Sequence, residues 1–95
     1  MKRLVWSNAA RRDLYRIADD YDAEVPGLGL TFLERVEEAP LILLDYPGLG
    51  SPTLLPGVRK WRVRKTPFLI FYVANRDRVE ITTVRHASSD WRSAQ

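Results

Sequence analysis

The chain contains no cysteine and only one histidine, His86, among its 95 residues. Without cysteine, disulfide bonds, cysteine-ligated zinc sites and iron–sulfur clusters are excluded, and one histidine is too few for a histidine-based metal cluster. We therefore expect no metal ion and no organic cofactor. The lack of cysteine also suits a reducing compartment.

Long apolar runs are absent as well. After Lys2 and Arg3 only Leu4-Val5-Trp6 is continuously apolar, whereas the apolar region of a secretory signal needs about 7 residues or more. The apolar stretch Phe68–Ala74 is far shorter than the roughly 20 residues of a membrane span. We expect a cytoplasmic protein with no membrane partner.

The composition is otherwise that of a folded protein, with 45% hydrophobic and 28% charged residues. The length suits one domain, residues 1–95. Charge is unevenly distributed: residues 1–45 hold six Lys/Arg and nine Asp/Glu, a net −3, and residues 46–95 hold nine and three, a net +6. A basic half of this size can attract a polyanion or an acidic protein segment.

The first half has helical periodicity after a short strand at Lys2–Ser7. Ser7 is a candidate N-cap, and the spacing of the following apolar residues predicts a helix to about Asp22; they are Ala10, Leu14, Ile17, Ala18 and Tyr21. A second apolar period, from Phe32 to Leu44, contains Pro40, which predicts a break near Ala39. The acidic residues Asp19, Asp20, Asp22 and Glu24 are expected to be simply solvated.

The second half alternates like strands. A loop is predicted over residues 46–57, then strands at Val58–Lys65, Phe68–Ala74 and Val79–Arg85. In the first of these, Trp61 and Val63 are predicted to face the core, and Lys60, Arg62 and Arg64 the opposite side. The predicted order is β-α-α-β-β-β, an α+β fold with a helical hairpin packed on a small, mainly antiparallel sheet.

Six short segments, in this order, resemble the RelE/ParE superfamily of toxins from type II toxin–antitoxin systems, and its ParE-like branch in particular. They are Val5–Ala10 with Asp13-Leu14, Tyr46–Gly50, Pro56–Arg59, Phe68–Val73, Val79–Ile81 and Val84–His86. The resemblance implies the same β-α-α-β-β-β plan. It also implies a cognate antitoxin as partner, with operator DNA contacted only through that antitoxin.

The resemblance leaves two activities open. ParE-like members are described as non-catalytic inhibitors of DNA gyrase, and RelE-like members as ribosome-dependent mRNA endonucleases. A nuclease would use Arg62, Arg64, Arg85 and His86 for acid–base chemistry and charge stabilisation. However, Leu69 stands where the nucleases commonly carry an arginine, and no tyrosine follows His86. The incomplete set favours the gyrase inhibitor.

The candidate partner-binding residues are cations and one aromatic side chain: Arg59, Lys60, Arg62, Arg64, Arg85, Trp91 and Arg92. Trp and Arg are the residue types enriched at binding hot spots. The cationic row can equally be the solvated face of an edge strand. For His86 we favour a structural role at the end of the sheet, ahead of binding and then catalysis.

Overall fold

In the part of the chain that the structure describes, the sheet has five strands in the order β1-β5-β4-β3-β2, and two main helices cover one of its faces. The computed structural model describes residues 2–88. The elements are β1 (Arg3–Trp6), α1 (Asn8–Glu24), α2 (Leu28–Glu38), α3 (Ile42–Asp45), β2 (Ser51–Pro52), β3 (Val58–Arg62), β4 (Phe68–Ala74) and β5 (Arg78–His86). The predicted α+β class is confirmed.

Helix α1 begins where a serine joins it to the sheet. The Ser7 hydroxyl accepts the amide hydrogen of Ala10 at 3.0 Å, as the N-cap prediction requires, and donates to the carbonyl of Thr82 at 2.9 Å. The buried face of the helix consists of Ala10, Leu14, Ile17 and Ala18, as the periodicity predicts. The same hydroxyl thus caps the helix and ties its start to β5.

The turn between α1 and α2 depends on an aspartate. Asp22 Oδ1 accepts the amide hydrogens of Gly27 at 3.1 Å and Gly29 at 2.8 Å. These are first-turn donors of α2 that have no partner within the helix. Asp22 is exposed, as expected of a solvated residue, but it has a structural role that was not predicted, because the Pro26-Gly27 turn brings the start of α2 back over the end of α1.

The predicted break in the second helical segment is confirmed. Helix α2 begins at Leu28, four residues before the first residue of the apolar pattern, and ends at Glu38, while α3 begins at Ile42. Pro40 is buried in the intervening turn. No helical hydrogen bond at this position requires the amide hydrogen that proline lacks. The break lets Leu43 of α3 reach the core separately.

Strand β3 is shorter than predicted. The Val63 amide donates to the Phe68 carbonyl at 3.0 Å, and Lys65 adopts a left-handed conformation with φ of 64°. A tight turn therefore starts after Arg62, so the expectation that Arg64 continues the alternating row is wrong. The predicted loop at 46–57 also contains β2, which pairs with Arg59 and Lys60.

Strand β1 runs parallel to β5, and the other pairs are antiparallel. A bulge interrupts the pairing of β4 with β5: Phe71 lies opposite Thr83 and Tyr72 opposite Ile81, so Thr82 has no opposite residue. The extra residue shifts the alternation of β5 by one position. Ile81 and Val84, three positions apart, consequently both enter the core.

The core lies between the helices and the sheet. Phe32, Val36 and Leu43 from the helical side meet Ile70 and Tyr72 from β4. Trp61 packs against this cluster and Val63 belongs to it, as predicted. Within residues 2–88, no helix combines the length and apolarity needed to cross a membrane.

Replacing Gly29 with alanine should destabilise the protein by about 1–3 kcal/mol, as overpacked sites do. An added Cβ would lie 2.5 Å from the Ala18 carbonyl oxygen. This clash with backbone outweighs the roughly 1 kcal/mol by which alanine is the better helix former. Denaturant unfolding measures the effect, with Gly48→Ala as the control because a Cβ there meets nothing within 4 Å. Equal stability of the two variants would contradict the close helix packing.

Candidate functional site

Two arginines flank a leucine on the side of the sheet away from the helices, here called the outer face. Arg62 of β3 lies opposite Leu69 of β4, which lies opposite Arg85 of β5. Directly opposite residues share a face, and strands are about 4.8 Å apart, so the arginine backbones are about 10 Å apart. Lys60, opposite Phe71, belongs to the next row. The outer face thus has an apolar centre with cations at its sides.

His86 lies on the inner face, toward the helices. It is opposite Phe68, and the two rings meet edge to face with centroids 5.2 Å apart. Phe68 in turn packs against Tyr21 and Phe32 of the helices. The His86 Nδ1 accepts the amide hydrogen of Ser88 at 3.0 Å. These contacts suit the structural role favoured for His86.

A cleft of about 420 Å³ lies beside His86, between α1 and the ends of β4 and β5. Asp20, Glu24, Arg16 and Tyr21 contribute to its walls. Arg85 of the outer face lines the same cleft, so the surroundings of His86 are side chains of α1 together with one outer-face cation.

The four nuclease candidates are not brought together. Arg62 and Arg85 share a row on the outer face, Arg64 lies in the β3–β4 turn, and His86 faces the helices. The bulge at Thr82 causes the separation, because strict alternation from Val79 would place His86 outward and Arg85 inward. The outer row can hold anions, but its arginines are strong cations that do not exchange protons, and His86 next to Arg85 is directed to the opposite face.

Arg59 has a partner inside the protein. Its Nη1 donates to the Gly50 carbonyl at 2.7 Å, while the Tyr72 hydroxyl donates to the Pro47 carbonyl at 2.7 Å and accepts the Gly50 amide hydrogen at 2.9 Å. We call these contacts the loop clamp. Binding of a partner by Arg59 stays a prediction, and the structure shows it holding the loop.

Two polar residues that organise this region were quoted in the resemblance but given no role. Asp13 Oδ2 accepts the Val84 amide hydrogen at 3.1 Å, beyond the point where β1 stops pairing with β5. Tyr72 is fully buried, and a buried tyrosine hydroxyl requires a hydrogen-bond partner. This requirement could have identified Tyr72 as a structural residue from the sequence. The role of Asp13 could not be inferred in this way, because its partner Val84 is distant in sequence.

Trp91 and Arg92 lie outside the described residues, and their predicted roles stay predictions. Within residues 2–88, no group of three or more His, Asp or Glu side chains is arranged to hold a metal ion.

A family model described as the ParE toxin of the parDE type II toxin–antitoxin system matches residues 4–91. The chain belongs to the ParE toxin family. Its match therefore spans the outer-face row, the loop clamp and every element from α1 to β5. This assigns the protein to the RelE/ParE superfamily as a toxin of a type II toxin–antitoxin system, as its sequence segments suggest.

Solved structures give the same fold. A chain of the chromosomal ParDE toxin–antitoxin system from P. aeruginosa is 27% identical, with a TM-score of 0.79, over 90% of this chain and 96% of that one. A chain of the E. coli DinJ–YafQ complex is 13% identical, with a TM-score of 0.51, over 93% and 96%, and supports the fold alone. The comparison with curated proteins gives no significant match.

Replacing Tyr72 with phenylalanine should destabilise this ParE-family toxin by about 1–3 kcal/mol at neutral pH, because the Gly50 amide and Pro47 carbonyl lose their partner. Burial raises the pKa of Tyr72 above its ordinary value of 10.0, outweighing the lowering by the Gly50 amide and Arg59. The unfolded phenol thus ionises first, and the contribution of Tyr72, complete below about pH 10, is lost as pH rises through the folded pKa.

The stability difference between wild type and Tyr72→Phe should therefore shrink above pH 10. Denaturant unfolding at a series of pH values measures it. Tyr15→Phe is the matched control, since Tyr15 is 60% exposed and should show almost no difference at any pH. A wild-type advantage that stays constant or grows above pH 10 would contradict the buried, neutral phenol.

Proposed function

We propose that this protein inhibits bacterial growth by binding and poisoning DNA gyrase, without catalysing a reaction, and that a cognate antitoxin neutralises it. Membership of the ParE toxin family supports the proposal. So does the similarity to a chain of a ParDE system at 27% identity. Gyrase as a target implies that the protein acts in the cytoplasm.

The observation that carries the non-catalytic proposal is that His86 is directed to the face of the sheet opposite the row of Arg62 and Arg85, although Arg85 and His86 both line the cleft beside α1. Cleavage of RNA through its 2′-hydroxyl needs a proton acceptor and cations around one reacting phosphate. A row with Leu69 between two arginines offers binding instead. Its apolar centre and charged sides resemble the arrangement of many protein–protein interfaces.

The alternative is a ribosome-dependent mRNA endonuclease. It is favoured by the shared orientation of Arg62 and Arg85, which could hold backbone phosphates. On this alternative the proton acceptor would have to come from outside the row, since Leu69 occupies its centre.

A supercoiling assay with purified gyrase tests the proposal directly. The wild-type protein should inhibit supercoiling, and Arg62→Ala with Arg85→Ala should weaken inhibition severalfold because both outer-face cations are lost. The matched control is Arg12→Ala with Arg76→Ala, two exposed arginines elsewhere, which should inhibit like wild type. Supercoiling unaffected by the wild-type protein, together with ribosome-phased mRNA cuts in induced cells, would favour the endonuclease instead.

Deleting residues 91–95 should abolish growth inhibition while preserving antitoxin binding. Trp91 and Arg92 are the types of residue that anchor interfaces, and the deletion leaves every described element intact. Growth after induction and copurification with antitoxin measure the two effects. A comparison variant, Arg62→Ala with Arg64→Ala and His86→Ala, should lose toxicity only partly. A toxic truncation beside an inert triple variant would contradict the inhibitor.

A further inference from the structure

A second basic surface adjoins the outer-face row at Arg62, in a cleft of about 600 Å³ between the α2–α3 turn and the β3–β4 hairpin. This volume is in the range of clefts that hold a ligand or a few side chains. Within the described part of the chain, its walls are formed by cations, by three apolar residues and by Glu38. We refer to it as the hairpin cleft.

The apolar part of the hairpin cleft is held in place by one hydrogen bond. The Trp61 indole Nε1 donates to the Ala39 carbonyl at 3.0 Å, which fixes the ring against the end of α2. Ile42, the first residue of α3, lines the cleft beside it and is 46% exposed. A fixed indole next to an exposed aliphatic side chain forms an apolar binding site for one large apolar group.

Four cations line the same cleft: Arg35, Arg62, Arg64 and Lys65. Among the described residues, Glu38 is the one acidic wall residue, and the lining they form carries a net charge of +3. Arg35 Nη1 reaches the Lys65 carbonyl at 3.4 Å, so its guanidinium spans the gap between α2 and the turn. None of the ion pairs within residues 2–88 involves these cations, which leaves their charge for a partner.

The backbone that borders the hairpin cleft has two unusual features, at Lys65 and at Arg62. Lys65 has a left-handed φ of 64°, a conformation that costs less for glycine or asparagine, so the lysine there carries a cost in stability. Strand β2 pairs only with Arg59 and Lys60, and the Val63 amide points to β4. Because backbone groups alternate, those of Arg62 point to the edge that β2 leaves uncovered.

We propose that the hairpin cleft binds an acidic segment of the neutralising antitoxin, with one large apolar side chain on Trp61 and Ile42 and carboxylates on Arg35 and Arg64. The antitoxin as source rests on the proposed function. Charge complementarity selects an acidic occupant, and the apolar surface of Trp61 and Ile42 selects a peptide with a large apolar side chain over a nucleic acid.

The first test uses a blocked peptide with a central leucine flanked on both sides by glutamates. It should shift the NMR signal of the Trp61 indole N–H, assigned with Trp61→Phe, at about 1 mM or below. Arg35→Glu with Arg64→Glu should weaken binding about tenfold or more. The matched control, Arg12→Glu with Arg76→Glu, changes net charge equally at exposed sites and should have little effect. Serine in place of the leucine should also weaken binding.

Several outcomes would overturn the inference. An unmoved Trp61 signal would do so, as would equal losses in the two double variants, since that indicates only general charge attraction. Tighter binding of a single-stranded oligonucleotide than of the peptide at this cleft would assign the cleft to nucleic acid. All variants are first checked by thermal unfolding, and Arg64→Glu alone replaces the double variant if the latter is unfolded.

The second test uses the antitoxin encoded beside the toxin. It should bind the Arg35→Glu, Arg64→Glu variant about tenfold more weakly than the Arg12→Glu, Arg76→Glu control. If the peptide distinguishes the variants and the antitoxin does not, the antitoxin is not the occupant. Neither test involves gyrase, so a negative supercoiling assay contradicts the proposed function and leaves the hairpin cleft standing.

Discussion

The unpaired Thr82 decides which side chains each face of the sheet presents. Strand β5 is the only partner of β1 and also pairs with β4 in the described sheet, so a one-residue shift within it affects both neighbours. The shift sends Val84 into the core and Arg85 outward, beside Leu69. Bulges occur near functional sites for this reason, since they re-aim side chains without changing the order of strands.

Hydrogen bonds of partly buried polar groups keep this arrangement in place. The Ser7 hydroxyl bonds the Thr82 carbonyl at the bulge itself, and Asp13 accepts the amide of Val84 two residues on. An amide left without a partner in the interior would cost about 1–3 kcal/mol. The start of α1 therefore serves as the edge partner of β5 where β1 ends.

The loop clamp stabilises the β2–β3 edge of the sheet in the same way, by giving polar groups hydrogen-bond partners. Tyr72 bonds both Pro47 and Gly50, and Gly50 lies so close that a Cβ there would be 2.4 Å from the Tyr72 hydroxyl oxygen. A side chain at that position would displace the phenol from its partners. The clamp fixes the loop that leads into β2, and β2 in turn covers only part of the β3 edge.

The two basic surfaces offer a physical basis for separating toxicity from neutralisation. The outer-face row crosses β3, β4 and β5, whereas the hairpin cleft lies at the β3 end of the sheet and includes residues of α2 and α3; Arg62 belongs to both. In our proposal gyrase and antitoxin meet different surfaces of a small toxin that adjoin at Arg62. Both would then be attracted by the basic second half of the chain, with short-range contacts deciding between them.

The helices, the α+β class and the family could be predicted from the amino-acid sequence, because they depend on local spacing: the apolar residues of α1, the proline in the α2–α3 turn and the segments of the toxin resemblance. The Ser7 cap could also be predicted from the sequence, since its partner Ala10 is three residues away. The sequence also indicated that Leu69 stands at the central position where the nucleases commonly carry an arginine.

The packing of the whole chain was needed to establish the faces of Arg85 and His86, the turn position of Arg64 and the partners of Asp22, Asp13 and Arg59. Alternation along a strand predicts faces only while every residue is paired, and Thr82 is not. Asp13 and Val84 are 71 residues apart in sequence. No local pattern encodes such a contact, because it exists only once the helix and the sheet have packed together.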